Sequence, residues 1–170
     1  MNATTAKFYS LSYKESKTYL FALAFITGNV LLPQLCHLAP GGGLRWLPIY
    51  FFTLIAAYKY GIHVGLLTAV ISPLVNSLLF DMPPVAVLPV IAAKSVLLAV
   101  GAACAARLSG KVSLVAIAAA VAAYQLVGTL VEWAIVADFF KAIADLRIGY
   151  PGLLVQVFLG YAVLKALAKV

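Results

Sequence analysis

Charge is what this chain has least of. Only 10% of its 170 residues are Asp, Glu, Lys or Arg, and just 5 are acidic. A soluble domain carries roughly 25% charged residues, so an ordinary water-facing surface is excluded. Cysteine is nearly absent. Cys36 and Cys104 are too few for a disulfide framework or a metal set. Threaded as below, they sit near opposite membrane faces, beyond disulfide reach. The chain has no H-E-x-x-H, no G-x-S-x-G and no G-x-x-x-x-G-K-[ST]. It therefore lacks the signatures of zinc peptidases, serine hydrolases and P-loop ATPases. No basic run is interleaved with aromatics, so the net charge of +7 is not read as a nucleic-acid surface.

Apolar residues make up 65% of the chain, and the mean hydropathy is +1.07. That is an integral membrane protein. The length suits one domain, residues 1–170, with no separate soluble module. Residues 1–17 are polar and lead into about twenty apolar residues without a small-residue cleavage site, so they are expected as a cytoplasmic segment before a retained first helix.

Six apolar segments follow, at 18–38, 47–60, 62–80, 84–107, 112–139 and 151–169. The expected fold is an all-α bundle of six transmembrane helices. A spanning helix needs about 20 residues, so the second segment is short for a full span. Lys7, Lys14, Lys17, Lys59, Arg107, Lys111, Lys165 and Lys169 fall on one side of the threading; Arg45, Lys141 and Arg147 fall on the other. Cations concentrate in cytoplasmic loops, so both termini are expected in the cytoplasm. The outer connections, 39–46, 81–84 and 140–150, are the longer ones, and Gly41, Gly42 and Gly43 make the first a candidate lid.

Polar side chains within the spans cluster at one depth. Lys94 is about eight residues into the fourth helix, roughly 12 Å below the outer surface, and Glu132 reaches a similar depth on the fifth. An ionisable group at such depth is costly and marks a functional site by default. Lys94 and Glu132 are expected either to pair as a structural clamp or to hold a polar ligand together. Gln125, Thr129 and Glu132 share one helical stripe, flanked by Tyr124, Gly128 and Trp133. The same stripe could equally serve as an interhelical hydrogen-bonding face. Asn76 and Gln156 belong to the same outer half, as do Asn29, Gln34 and His37. The candidate substrate contacts are Lys94, Glu132, Gln125, Asn76 and Gln156, with Tyr124, Trp133 and Trp46 as aromatic walls and Arg45 near the lid. One Lys with one Glu fits a neutral or zwitterionic ligand better than a polyanion, and the aromatic neighbours favour a ring. Asp138, Lys141, Asp145 and Arg147 read as a solvated outer loop. No metal or cofactor is expected. Two other classes remain open: an intramembrane enzyme using Glu132 with His37, and a membrane scaffold whose polar groups join subunits.

Two stretches carry a family resemblance. The first runs from Leu47-Pro48-Ile49-Tyr50-Phe51-Phe52 through Ala56-Ala57-Tyr58-Lys59-Tyr60-Gly61, Gly65-Leu66-Leu67 and Ser72-Pro73-Leu74 to Asp81-Met82-Pro83-Pro84. The second is Gly149-Tyr150-Pro151-Gly152-Leu153-Leu154-Val155-Gln156. Both resemble the substrate-binding S components of energy-coupling factor (ECF) transporters. The resemblance implies a multi-pass protein of the bacterial cytoplasmic membrane, without enzymatic activity of its own. It implies capture of a vitamin-like micronutrient from outside, then docking on a membrane scaffold subunit driven by two cytoplasmic ATPases. It also implies docking through small residues of the first helix, here Ala24 and Gly28.

Overall fold

The computed structural model describes residues 10–168. Residues 1–9, 169 and 170 lie outside the described residues, and with them Lys7 and Lys169 of the charge count. All regular structure described is helical. The order is α1 (Ser16–Cys36), α2 (Gly42–Trp46), a 3-10 turn Pro48–Tyr50 running into α3 (Phe51–Tyr60), α4 (Ile62–Phe80), α5 (Leu88–Ser109), α6 (Leu114–Val136), α7 (Phe139–Ala142), α8 (Ala144–Arg147) and α9 (Tyr150–Leu167). Five helices, α1, α4, α5, α6 and α9, are long and apolar enough to cross a membrane. The protein is an all-α, multi-pass membrane bundle.

The segment expected at 47–60 is not among those five. Its helix, α3, has 10 residues, and from Thr53 to Tyr60 every one is buried. It packs against α1, α4, α5 and α9 and forms the axis of the bundle. A lipid-facing helix must match the hydrocarbon thickness so that no backbone group is left bare. Backbone enclosed by protein is free of that demand, which is why a short helix is tolerated at the centre.

The other helices bury one stripe each and turn the rest outward. On α1 the buried residues are Thr18, Ala22, Asn29 and Pro33, spaced to one face, while Leu20, Leu23, Leu31 and Leu35 are exposed. On α9 they are Gly152, Gln156, Gly160 and Leu164, four residues apart, with Leu154, Phe158 and Leu159 outward. Exposed Leu and Phe in such numbers suit lipid rather than water. Lipid tails are as apolar as Leu, so close packing and interhelical hydrogen bonds hold the bundle together.

Close packing comes from small residues. A Cβ on Gly65 of α4 would stand 2.5 Å from the Ala57 Cβ of α3. The two helices turn back on each other at Gly61, whose φ of 94° and ψ of 176° is a conformation essentially restricted to glycine. Polar stitching ties α1, α3 and α4. Asn29 Nδ2 donates to Thr53 Oγ1 at 3.0 Å and to Ser72 Oγ at 3.3 Å, and its Oδ1 accepts from the Phe52 amide.

The two ends of the bundle differ. At one, Tyr58 of α3 donates to the Lys111 carbonyl, and Lys59, 2% exposed, donates to the Leu167 carbonyl at the end of α9. That places a cation on the negative end of a helix dipole. At the other end the longer connections fold inward. The Gly-rich stretch is not an open loop: Gly41, at φ 70°, starts α2, and Gly42 lies on the Cys36 carbonyl, where a Cβ would be 1.9 Å away. Segment 112–139 stops earlier than its hydropathy suggests. Ala137 enters the left-handed region at φ 55° and ends α6, and Asp138 then caps α7. The Lys141 amide bonded to Asp138 holds that carboxyl below its usual range.

Candidate binding site

A cleft of about 300 Å³ opens at this second end. Its walls come from five helices and the segments between them: Pro33 of α1 with its cap His37, Leu44 of α2, Leu47 and Tyr50 before α3, Met82 to Pro84 after α4, Lys94 of α5, Glu132 of α6 and Asp145 of α8. The site exists because the connections after α1, α4 and α6 all contribute walls at this end of the bundle. Leu47 permits one of these connections by adopting φ 47°, a strained choice for a branched side chain, while 5% exposed. The Met82–Pro83 peptide is cis.

Lys94 lies at the buried end of the cleft, 1% exposed. Its Nζ donates to Glu132 Oε2 and to Asp145 Oδ2, the latter at 2.7 Å. Hydrogen bonds to two carboxylates offset much of the cost of holding the Lys94 ammonium out of water, while the acids outnumber the cation. The Lys94 stem rests against Gly128, which leaves room for it between α5 and α6. Lys94 and Glu132 therefore pair with each other and line one cavity.

Asp145 was expected in a solvated loop, and that reading is corrected. Its side chain is 12% exposed and reaches Lys94 because α7 and α8 fold back across the end of α6. Trp133 takes part in this return, its ring meeting Phe139 edge-on at 5.5 Å. A sequence signal existed: residues 139–148 include Phe139, Phe140, Ile143, Leu146 and Ile148, too apolar for a connection in water. Tyr50 and His37 are cleft residues as well. His37 caps the end of α1, with Nδ1 2.7 Å from the Pro33 carbonyl.

The remaining expected contacts lie elsewhere. Tyr124 sits behind the cleft wall, its ring 5.5 Å from that of Tyr50 and its hydroxyl donating to Gln156 Oε1 at 2.9 Å. Gln125 and Gln156 are 2% and 1% exposed, and neither lines the cleft. Both polar atoms of Gln125, Ser95 Oγ, Thr129 Oγ1 and Gln156 Nε2 have no hydrogen-bond partner among the described residues. Asn76 belongs to the stitching between helices: its Nδ2 donates to the Asn29 and Ser72 carbonyls, and its Oδ1 accepts from Gln34. Trp46 and Arg45 are on the exposed side of α2, the guanidinium 5.8 Å from the Trp46 ring. On α1, Ala24 is exposed, while Gly28 accommodates the Phe52 ring, 2.8 Å from where its Cβ would be.

Among the described residues no group of three or more His, Cys, Asp or Glu is placed to hold a metal ion. The arrangement can enclose a small molecule between apolar walls and present it with paired carboxylates, a phenol and an imidazole. No protein-family model, curated protein or solved structure matches this chain.

Proposed function

We propose that this protein is the substrate-specific binding subunit of an ATP-driven importer, an S component of the ECF type. It captures a vitamin-like micronutrient in the cleft and hands it to partner subunits without chemical turnover. One observation carries the reading: Lys94, gripped by Glu132 and Asp145, closes the inner end of a cavity at one end of the bundle. A buried ionised group at a cavity is the usual mark of a polar ligand's path or seat in a membrane protein.

The wider reading agrees with the charge distribution. Lys14, Lys17, Arg107, Lys111 and Lys165 belong to the end opposite the cleft. With the positive-inside rule, the cleft faces outward and both termini are cytoplasmic. In this topology α3 makes the second of six passes, enclosed by its neighbours. The resemblance of 47–84 and 149–156 to S components supplies the partners, a membrane scaffold subunit and two cytoplasmic ATPases in a bacterial cytoplasmic membrane. Ala24, exposed on α1 beside Gly28, offers the close backbone approach a docking helix needs.

Native mass spectrometry of the purified chain tests the reading. A retained small molecule, lost when Ile91→Trp fills the cleft, is the expected result. Wild-type protein that neither retains nor takes up any small molecule from a cell extract overturns it.

A further inference from the structure

The cleft's charge and hydrogen-bond balance narrows the ligand, given the binding reading above. One cation and two carboxylates meet there. Lys94 Nζ occupies one oxygen of each acid, and the other two, Glu132 Oε1 and Asp145 Oδ1, accept no hydrogen bond among the described residues. The remaining cations at this end, Arg45, Lys141 and Arg147, are exposed and do not line the cleft. With His37 neutral the group carries a formal charge of −1. In a low-dielectric setting such an excess is neutralised by a proton or by a cation.

A second observation points the same way. Tyr50 is 2% exposed and lines the cleft, yet its hydroxyl has no hydrogen-bond partner among the described residues. Its side chain lines the same cleft as the two carboxylates, and aromatic rings attract cations as acids do. His37 offers the cleft no free donor at Nδ1, which engages the Pro33 carbonyl. The open polar positions are mostly acceptors, and Lys94 is buried behind the acids. The remaining wall is apolar, from residues such as Leu44, Ile49, Val90 and Ile91.

We propose that the cleft takes an organic cation: a small, largely apolar molecule with one positively charged, hydrogen-donating nitrogen. The nitrogen sits at Glu132 Oε1 and Asp145 Oδ1 with Tyr50 beside it, and the apolar body lies toward the mouth. This differs from the neutral or zwitterionic ligand expected from one Lys and one Glu, because Asp145 adds the second acid.

The test compares three molecules of one skeleton, 3-phenylpropylamine, 3-phenylpropan-1-ol and 3-phenylpropanoate, by competition and thermal shift on the purified wild-type chain at neutral pH. The amine is expected to bind about tenfold or more tighter than the alcohol, the scale of one charge-assisted hydrogen bond, and the carboxylate most weakly. Asp145→Asn is expected to erase most of that preference, whereas Asp138→Asn, on the exposed α7 cap, leaves it intact. Equal effects of all three molecules, or preference for the alcohol or carboxylate, overturn the cation assignment, and the wild-type comparison needs no variant to fold. An amine preference that survives in a folded Glu132→Gln/Asp145→Asn chain also overturns it. A retained neutral or anionic molecule in the mass spectrum sinks this assignment alone, whereas no binding of any molecule sinks the binding reading itself.

Discussion

The stem of Lys94 lies against Gly128: a Cβ built on Gly128 would stand 2.7 Å from Lys94 Cγ and 3.3 Å from Cε. The absence of one methyl group on α6 lets a long cationic side chain thread between two helices and reach both acids. Gly128→Ala is expected to push the stem aside and weaken its reach to Asp145. The cost of such overpacking is about 1–3 kcal/mol. A lower melting temperature together with weaker ligand binding checks this; unchanged binding would mean that the stem has another route.

Removing the cation should be worse than removing the whole cluster. Lys94→Met leaves Glu132 and Asp145 close together with no counter-charge, and breaking a buried pair from one side costs about 3–5 kcal/mol. Adding Glu132→Gln and Asp145→Asn is expected to return a substantial part of that loss. Unfolding measured across the full set of variants gives the coupling directly. A triple variant no more stable than Lys94→Met contradicts the charge argument.

Asn76 separates structure from binding. Its amide joins α4 to the Asn29 carbonyl of α1 at 2.9 Å, away from the cleft. Asn76→Ala is expected to lower stability by about 1–3 kcal/mol, since the Asn29 carbonyl loses a buried donor. Affinity of the folded fraction should stay within about twofold, because additivity holds for separated sites. Equilibrium binding on folded protein, beside a melting curve, tests both halves.

Gly152 sets how closely α2 can approach α9. A Cβ there would meet the Trp46 carbonyl oxygen at 2.3 Å, a contact with backbone that cannot rotate away. Gly152→Ala should therefore displace α2 and open one side of the cleft. Ligand dissociation is expected to speed up by about an order of magnitude with little change in association. Stopped-flow release of a bound ligand is the measurement. An unchanged rate means that α2 does not retain the ligand.

The polar residues show what could be read early and what could not. Lys94 and Glu132 were legible because an ionisable group in an apolar helix is conspicuous, and counting residues gives its depth. Gln125, Gln156 and Asn76 were expected at that depth too but do not line the cleft. Their destinations depend on how each helix is rotated against its neighbours, and a stripe on one helix does not specify which partner it faces. Asp145 stayed hidden for another reason. It sits in a connection where Lys141 and Arg147 suggest solvent, and only the fold-back of α7 and α8 carries it to Lys94.

Composition alone established that the chain belongs in lipid and is helical, because long apolar runs and the desolvation cost of backbone and charge are properties of short stretches of chain. The short second segment, expected as one of six spans, became α3, which is enclosed by α1, α4, α5 and α9, an arrangement no local hydropathy expresses. Tertiary structure decided which polar groups hold helices together and which surround the cleft. It also turned a balanced Lys–Glu pair into a cluster with one acid in excess, since that depends on a loop returning across 51 positions of sequence, from Asp145 to Lys94.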